Sequence, residues 1–269
     1  MPNLKHKTAG RNMAKKGLKR GPGAAKAGLP MGAFTLESAP LVYLNVPKSA
    51  CTTIKNLMYH MDHGRFVDEP LDIHGRDDLL GSRLRTPEIQ ALFEQRLRGR
   101  HLVFTFVRHP GRRAYSCFIE KIMNQSKYSF PKVRDHIVEQ YALRLPQPDV
   151  PYSLEAHRAN FMAFLDFVED NFAGRTPIRV DAHWGRQVAI LNGFQKHFCI
   201  DFIGRVEQFE SQFGWICQQF PSRHPPDITT RFNEGPKPPF PYEEVADEQV
   251  EARLRRLYRA DYMRLGYAD

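Results

Sequence analysis

Long hydrophobic runs and paired cysteines are both missing from this 269-residue sequence. No apolar stretch approaches the ~20 residues that a membrane-spanning helix requires, and the N-terminus lacks the apolar region of a secretory signal. The four cysteines, Cys51, Cys117, Cys199 and Cys217, are widely spaced and form no CxxC pair, which argues against a disulfide framework or a zinc site. These absences favour a cytoplasmic protein, and no metal is predicted.

Acidic residues are absent from residues 1–36, which contain eight of the 39 Lys and Arg residues. The other 31 basic side chains nearly balance the 30 acidic ones, so a specific nucleic-acid-binding face is not predicted. We predict a disordered basic tail at residues 1–33 and one domain at residues 34–269. Two interpretations of the tail stay open: a solvated extension, which is favoured, and weak contact with an anionic membrane or polymer.

Glycine is absent between Leu41 and His63, where a strand, a loop and a helix follow one another. The apolar run Leu41–Val46 is typical of a strand buried on both faces. From residue 54 onward, apolar side chains recur at i, i+3, i+4 and i+7, which predicts an amphipathic helix. Without glycines, the loop between them does not fit the Walker A pattern GxxxxGK[ST].

The junction between this strand and this helix carries residue types that bind anions. The first N–H groups of a helix lack partners within the helix and carry the positive end of its dipole. Three hydroxyl side chains add hydrogen-bond donors there, and a lysine adds a full positive charge. We therefore predict that a phosphate-like anion binds at this loop. Its residues are Lys48, Ser49, Ala50, Cys51, Thr52 and Thr53.

A second strand–loop–helix unit follows later in the chain. The apolar run His101–Val107 predicts a buried strand, and a helix is expected from about Gly111 to Met123. In an open parallel sheet, ligands collect beyond the carboxyl ends of the strands, where Arg108 stands. Its guanidinium suits a dianionic phosphate, and Ser116 on the adjoining helix adds a hydroxyl.

The remaining segments predict further elements. Residues 86–99 favour a crossover helix, and residues 124–152 show no clear periodicity and are interpreted as an irregular cover over the cleft. Ser153 begins a long helix that Gly174 ends. Residues 198–203 predict a third strand, and residues 247–263 predict the last helix.

Four motifs resemble those of the nucleotide-dependent sulfotransferases, and most closely those of the chondroitin, dermatan and HNK type of carbohydrate sulfotransferase. Residues 47–55, PKSACTTIK, resemble the 5′-phosphosulfate loop P-K-x-A-C-T-x-x-K of that family. Residues 107–116, VRHPGRRAYS, resemble its 3′-phosphate motif V-R-x-P-x-x-R-x-x-S-x-Y. Residues 181–187 and 201–210 resemble its segments D-x-H-W-x-x-Q and D-F-I-G-x-x-E-x-x-E.

The resemblance implies an α/β fold, with a P-loop-like parallel sheet flanked by helices, and the donor 3′-phosphoadenosine 5′-phosphosulfate (PAPS). Residues 48–53 are then expected to bind the 5′-phosphosulfate, and Arg108 and Ser116 the 3′-phosphate. Arg205, after the third strand, is a further candidate for nucleotide contact, although a stabilising pair with Glu207 or Glu210 is the favoured alternative. The implied acceptor is a hydroxyl of a polysaccharide, glycolipid or oligosaccharide.

Sulfuryl transfer requires stabilisation of the departing phosphate oxygen and removal of a proton from the acceptor hydroxyl. Lys48 is the candidate for the first task. For the second, the resemblance favours His74, which lies between the two phosphate motifs. His183 is the second candidate, and an acid such as Asp72 or Glu69 stays open as the base.

Two other functions stay open on the sequence alone. One is a P-loop-like kinase that uses ATP, although the missing Walker A glycines argue against it. The other is a polyanion-binding protein that acts through the basic tail, because the rest of the chain is nearly neutral.

Overall fold

The computed structural model describes residues 32–74, 101–196, 199–232 and 235–267. Within these ranges four strands and nine α-helices are formed. The strands are β1 (Ala33–Thr35), β2 (Leu41–Leu44), β3 (Leu102–Val107) and β4 (Phe202–Arg205). The helices are α1 (Cys51–His63), α2 (Pro110–Cys117), α3 (Pro131–Tyr141), α4 (Leu154–Phe172), α5 (Gln187–Gln195), α6 (Phe209–Gln219), α7 (Tyr242–Val245), α8 (Glu248–Leu257) and α9 (Arg259–Arg264).

The strands form one sheet in the order β1-β2-β3-β4. β1 runs antiparallel to β2, whereas β2, β3 and β4 are parallel, with Tyr43 opposite Phe104 and Phe106 opposite Gly204. The carboxyl ends of β2 and β3 therefore lie side by side, which brings the loops that follow them to one edge of the sheet. The predicted α/β fold, a mostly parallel sheet flanked by helices, is confirmed.

Both faces of the sheet are buried, which explains the unbroken apolar runs of β2 and β3. Helices α1 and α6 cover one face through residues such as Ile54, Met58 and Phe213. Helix α5 covers the other face, where Leu191 and Phe194 pack against the valines of β2 and β3. Because both sides are fixed by packing, the loops at the carboxyl edge start from rigid supports.

Two strand boundaries differ from the predicted ones. β2 ends at Leu44, two residues before the predicted end at Val46. β4 spans Phe202–Arg205, whereas a strand was predicted at residues 198–203. Asp201 explains the later start, because its carboxylate accepts a hydrogen bond from Val103 N (2.8 Å) at the point where a regular ladder would use a main-chain carbonyl.

The helices show larger differences. The prediction of an irregular segment at residues 124–152 is wrong, because α3 forms there. Ile137 is the one fully buried side chain of α3, so the sequence of this helix lacks the periodic apolar residues by which an amphipathic helix is recognised. The last predicted helix is divided into α8 and α9 at Tyr258. The helix expected to reach Met123 is α-helical only to Cys117 and continues as a π-helix. The long helix α4 is confirmed, and Ser153 caps it.

Some predictions fall outside the described residues. They include the crossover helix at residues 86–99 and nearly all of the tail at residues 1–33. Ala33 is described and pairs with Leu44 in the sheet, so the ordered fold includes the last residue of the predicted tail. Across the four described ranges, no helix combines the length and apolarity needed to cross a bilayer.

Candidate active site

The loop between β2 and α1 has an unusual backbone conformation. Lys48 (φ 66°) and Ala50 (φ 59°) both adopt the left-handed region, which residues other than glycine rarely enter. Left-handed residues in a tight loop turn N–H groups toward one side, and such concave arrangements bind anions. Ala50 is also the N-cap of α1 and offers no side-chain cap, so the N–H groups of the first turn keep their hydrogen-bonding capacity.

A cavity of about 540 Å³ opens beside this loop, and we call it the large cavity. Lys48, Cys51 and Thr52 line it from the loop, and His74 and His183 line it from other segments. The large cavity thus brings together the predicted stabiliser of the leaving group and both histidines predicted as bases.

A second cavity of about 110 Å³, the small cavity, lies at the carboxyl end of β3 and is lined by Arg108 and Ser116. Within the described ranges, the guanidinium of Arg108 forms neither a hydrogen bond nor an ion pair. Burial lowers the pKa of Arg108, and the nearby Glu207 opposes this shift. A largely buried cation without a close partner is best stabilised by an anion, so the small cavity fits the predicted phosphate site.

The two cavities adjoin, because Glu120 and Pro236 line both of them. Lys48 lines the large cavity and Arg108 lines the small one. One extended ligand with an anionic group near each end therefore matches the arrangement better than two unrelated ligands would.

Glu120 is a site residue that the sequence analysis missed. Its carboxylate accepts a hydrogen bond from Lys48 Nζ and forms an ion pair with Lys121 Nζ (2.8 Å). Burial alone raises the pKa of Glu120, but the charges and hydrogen bonds of the two lysines outweigh burial and lower it to about 2. Glu120 therefore stays ionised and orients Lys48. Glu120 lies four residues after Ser116, and residues with this spacing lie on the same face of a helix. This spacing is the one sequence signal that could have placed Glu120 near the phosphate site.

His74 is held by two neighbours in the wall of the large cavity. Its Nδ1 lies 3.2 Å from Lys55 Nζ, and its Nε2 lies 2.7 Å from Thr52 Oγ1. Because a lysine ammonium only donates, Nδ1 accepts and Nε2–H donates to the threonine hydroxyl. Burial, followed by the charge of Lys55, lowers the pKa of His74 to about 3. His74 is therefore neutral, with both ring nitrogens engaged.

His183 has a different set of contacts. Its Nδ1 donates to Asp181 Oδ1 (2.6 Å), which also accepts from the His183 main-chain N (2.9 Å). The ring packs edge-on against Phe130, with centroids 5.2 Å apart. No described residue hydrogen-bonds to Nε2. Burial lowers the pKa of His183, and the hydrogen bond and charge of Asp181 oppose this shift. Asp181 thus fixes the tautomer in which Nε2 can accept a proton.

Two predicted nucleotide ligands in the first loop point their side chains away from the cavities. Ser49 Oγ donates to Gln187 Oε1 (3.3 Å), and Ser49 is fully buried. Thr53 Oγ1 donates to Phe232 O (3.0 Å) and accepts from Phe232 N (3.1 Å). Neither hydroxyl is therefore available to an anion, and the main-chain N–H of Ser49 also donates within the protein, to Val46 O (3.3 Å).

Arg205 is not brought to either cavity. Its Nη2 donates to Leu265 O (3.1 Å), and its guanidinium lies over the Tyr267 ring. The alternative pairing with Glu207 or Glu210 is not formed either. Glu207 accepts from His109 N (2.8 Å) and from Tyr267 Oη (2.9 Å), and Glu210 accepts from Arg231 Nη2 (2.7 Å). In this structure Arg205 stabilises the turn at residues 265–267.

Arg113 is a second residue whose role the sequence analysis missed. It is buried in α2 and donates to Pro47 O (2.9 Å) and Gly185 O (2.8 Å), and also to Ala182 O. The second arginine of the motif V-R-x-P-x-x-R falls at this position and was an available signal. Arg113 thus ties the first loop to the segment that carries His183.

Metal-ligating side chains do not cluster in the part of the chain that the structure describes. There, no three His, Cys, Asp or Glu residues are placed to hold a metal ion together.

The model of the Sulfotransferase family matches residues 32–268 of this chain. The chain belongs to the Sulfotransferase family. The matched range contains the sheet and both cavities, so the family's expected fold and the observed one agree.

Curated relatives in this family include proteins named carbohydrate sulfotransferase 11. The chain is 23% identical to the protein of Mus musculus and 22% identical to that of Rattus norvegicus, each over 252 residues. It is 24% identical to the protein of Danio rerio over 242 residues. The matches cover 86% of this chain and 66% of each relative, so the chain spans about two thirds of their length. No solved structure matches the chain closely enough to count as a relative.

Proposed function

We propose that this protein transfers the sulfuryl group of PAPS to a hydroxyl of a carbohydrate acceptor. The observation that carries the proposal is the pair of adjoining cavities, one with the anion loop of Lys48 and the other with the guanidinium of Arg108. PAPS is a nucleotide with anionic groups on its 5′ and 3′ sides, as this pair requires. The phosphosulfate lies at the loop in this proposal, and the 3′-phosphate contacts Arg108 and Ser116.

The carbohydrate acceptor is supported by the names of the relatives and by four polar side chains in the lining of the large cavity. Asn45, Asn124, Ser126 and Tyr128 all line it. Amide and hydroxyl side chains of this kind hydrogen-bond to sugar hydroxyls, and the buried Asn45 Oδ1 has no hydrogen-bond partner among the described residues. The acceptor belongs in the part of the large cavity that faces the two histidines.

Lys48 is the residue that we propose stabilises the leaving group. During transfer, the S–O bond to the donor phosphate breaks as the acceptor oxygen bonds to sulfur. The electron pair of the broken bond stays on the phosphate oxygen, which becomes more negative beside Lys48 Nζ. A fixed cation aimed at developing charge lowers the barrier, and Glu120 holds Lys48 for that purpose.

His183 is the base that the geometry favours over His74. A base needs a lone pair within reach of the acceptor hydroxyl, and Nε2 of His183 has one because Asp181 holds the proton on Nδ1. Both nitrogens of His74 are engaged by Lys55 and Thr52. We infer that His183 Nε2 takes the proton of the acceptor hydroxyl, and that His74 shapes the cavity wall.

The test of the proposal is a comparison of nucleotides followed by a transfer assay. We expect 3′-phosphoadenosine 5′-phosphate (PAP) to raise the melting temperature more than ATP does, and radiolabelled PAPS to label a glycan from a panel of polysaccharides, glycolipids and oligosaccharides. Preferential stabilisation by ATP would favour the kinase alternative.

The polyanion-binding alternative is tested by deleting residues 1–31. The deletion stops short of β1, because Gly32 O accepts from Asn45 N (3.0 Å) and Ala33 pairs with Leu44. We expect the shortened chain to keep its transfer activity. Heparin binding that is lost in the shortened chain, together with no transfer activity in the full chain, would favour the alternative. The cytoplasmic location inferred from the sequence stays a prediction.

A further inference from the structure

Gln187 bridges the loops that follow β2 and β3. It is fully buried at the first position of α5. Its Oε1 accepts hydrogen bonds from Ser49 Oγ (3.3 Å) and from Arg108 N (3.0 Å). Its Nε2 donates to Arg108 O (2.8 Å). One side chain therefore contacts the residue after Lys48 in the first loop and the main chain of Arg108 in the second.

The main chain at Gln187 is also held in place, by hydrogen bonds to α9. Gln187 N and Val188 N donate to the two carboxylate oxygens of Asp261 (2.8 and 2.9 Å). Asp261 is fully buried in α9, and a carboxylate at the start of a helix stabilises its first N–H groups. The Gln187 main chain is thus fixed by the C-terminal helix while its amide group is fixed by the two loops.

We propose that Gln187 is a positioning residue that sets the spacing between the 5′-phosphosulfate loop and the 3′-phosphate loop. The inference rests on the proposed function, because it assigns both loops to one nucleotide. Gln187 lines neither cavity and touches neither anion. Its effect is on the distance and angle between two groups that must be bound at once.

This arrangement predicts an effect that a merely structural glutamine would not have. When two anionic ends of one ligand are bound together, the second contact is effectively intramolecular, and its benefit depends on how well the two sites are spaced. Loosening the bridge reduces that benefit while each loop keeps its own donors. Affinity for a nucleotide with both phosphates should fall, and affinity for nucleotides with one phosphate should change little.

The test measures the dissociation constants of PAP, adenosine 5′-phosphate and adenosine 3′-phosphate for the full chain and for Gln187→Met. Methionine keeps the approximate volume but removes all three side-chain hydrogen bonds. We expect the PAP affinity to fall by roughly 10-fold, and each monophosphate affinity by less than about 3-fold. The matched control is Gln195→Met, which makes the same change at an exposed position of the same helix and should alter none of the three constants.

A second variant tests the inference even if the Gln187→Met protein does not fold. Ser49→Ala removes one end of the bridge and leaves the Gln187–Arg108 contacts in place. We expect a smaller loss of PAP affinity from this change, with the monophosphates again nearly unaffected. In the double variant the two losses should not add, because both changes break the same contact.

The outcomes separate this inference from the proposed function. If the unmodified protein does not bind PAP more tightly than either monophosphate, the donor assignment is wrong and the inference is overturned with it. If the unmodified protein prefers PAP and Gln187→Met keeps that preference in full, the inference alone is overturned. An equal loss for all three nucleotides, in Gln187→Met or in Ser49→Ala, overturns it as well.

Discussion

The loop after β2 and the loop after β3 offer different kinds of groups to an anion. The first loop uses its backbone: Lys48 and Ala50 are left-handed, and the hydroxyls of Ser49 and Thr53 are bonded to protein groups. The second loop uses a side chain, the guanidinium of Arg108. A backbone site is hard to change by mutation, whereas a guanidinium site is lost with one residue. We therefore expect substitutions in the first loop to affect catalysis and stability, and substitutions in the second to affect nucleotide selectivity.

The largest effect is expected for Lys48→Ala. Removing the cation beside the leaving oxygen should lower kcat by ~10³-fold, while PAP affinity falls much less because the backbone N–H groups remain. Radiolabelled transfer gives kcat, and calorimetric titration gives the PAP affinity. Lys132→Ala, at an exposed position of α3, is the control and should change neither. Near-normal turnover by Lys48→Ala would remove Lys48 from the mechanism.

His183→Ala is expected to have the next largest effect. Loss of a general base should lower kcat by ~10²-fold or more with little change in PAP affinity, whereas His74→Ala should lower kcat by a smaller factor. Steady-state kinetics of the two variants compares them directly. The reverse order would restore His74 as the base.

The pH dependence of the unmodified enzyme sharpens this assignment. Burial lowers the pKa of His183 below its usual value of 6.5, so the neutral, proton-accepting form prevails at pH 7. Activity should therefore rise with pH through a midpoint below 6.5 and level off near neutrality. Asp181→Asn removes the carboxylate that opposes the shift, so any residual activity should keep a midpoint at a still lower pH. A midpoint that moves upward in this variant would argue against the pairing.

The smallest effect is expected for Ala50→Gly, which tests the backbone of the first loop. Glycine adopts the left-handed region without a steric penalty, so this change should leave the free energy of unfolding unchanged or raise it by up to about 1 kcal/mol. Ala189→Gly is the matched control, since Ala189 is exposed and has right-handed helical geometry in the first turn of α5, where glycine should destabilise by about 1 kcal/mol. Denaturant titration compares the two. Equal destabilisation would show that the left-handed conformation of Ala50 has no energetic consequence.

The sequence predicts anion binding at both loops, because each loop follows an unbroken apolar strand and precedes a helix, and these signals are local. The contacts between the loops are not local. Gln187 lies 138 residues from Ser49 and 79 from Arg108, so only the folded chain shows that its amide reaches both. For the same reason, the sequence does not distinguish His183 from His74, since the difference depends on which neighbours bind each ring nitrogen.

The central claim is that one nucleotide contacts both loops, and the 3′-phosphate contact of Arg108 tests it most directly. The measurement is the ratio of the dissociation constants of adenosine 5′-phosphate and PAP, for the unmodified protein and for Arg108→Ala. We predict that the 3′-phosphate strengthens binding by roughly 100-fold in the unmodified protein and by less than about 3-fold in the variant. A variant that keeps the full preference for PAP would contradict the account.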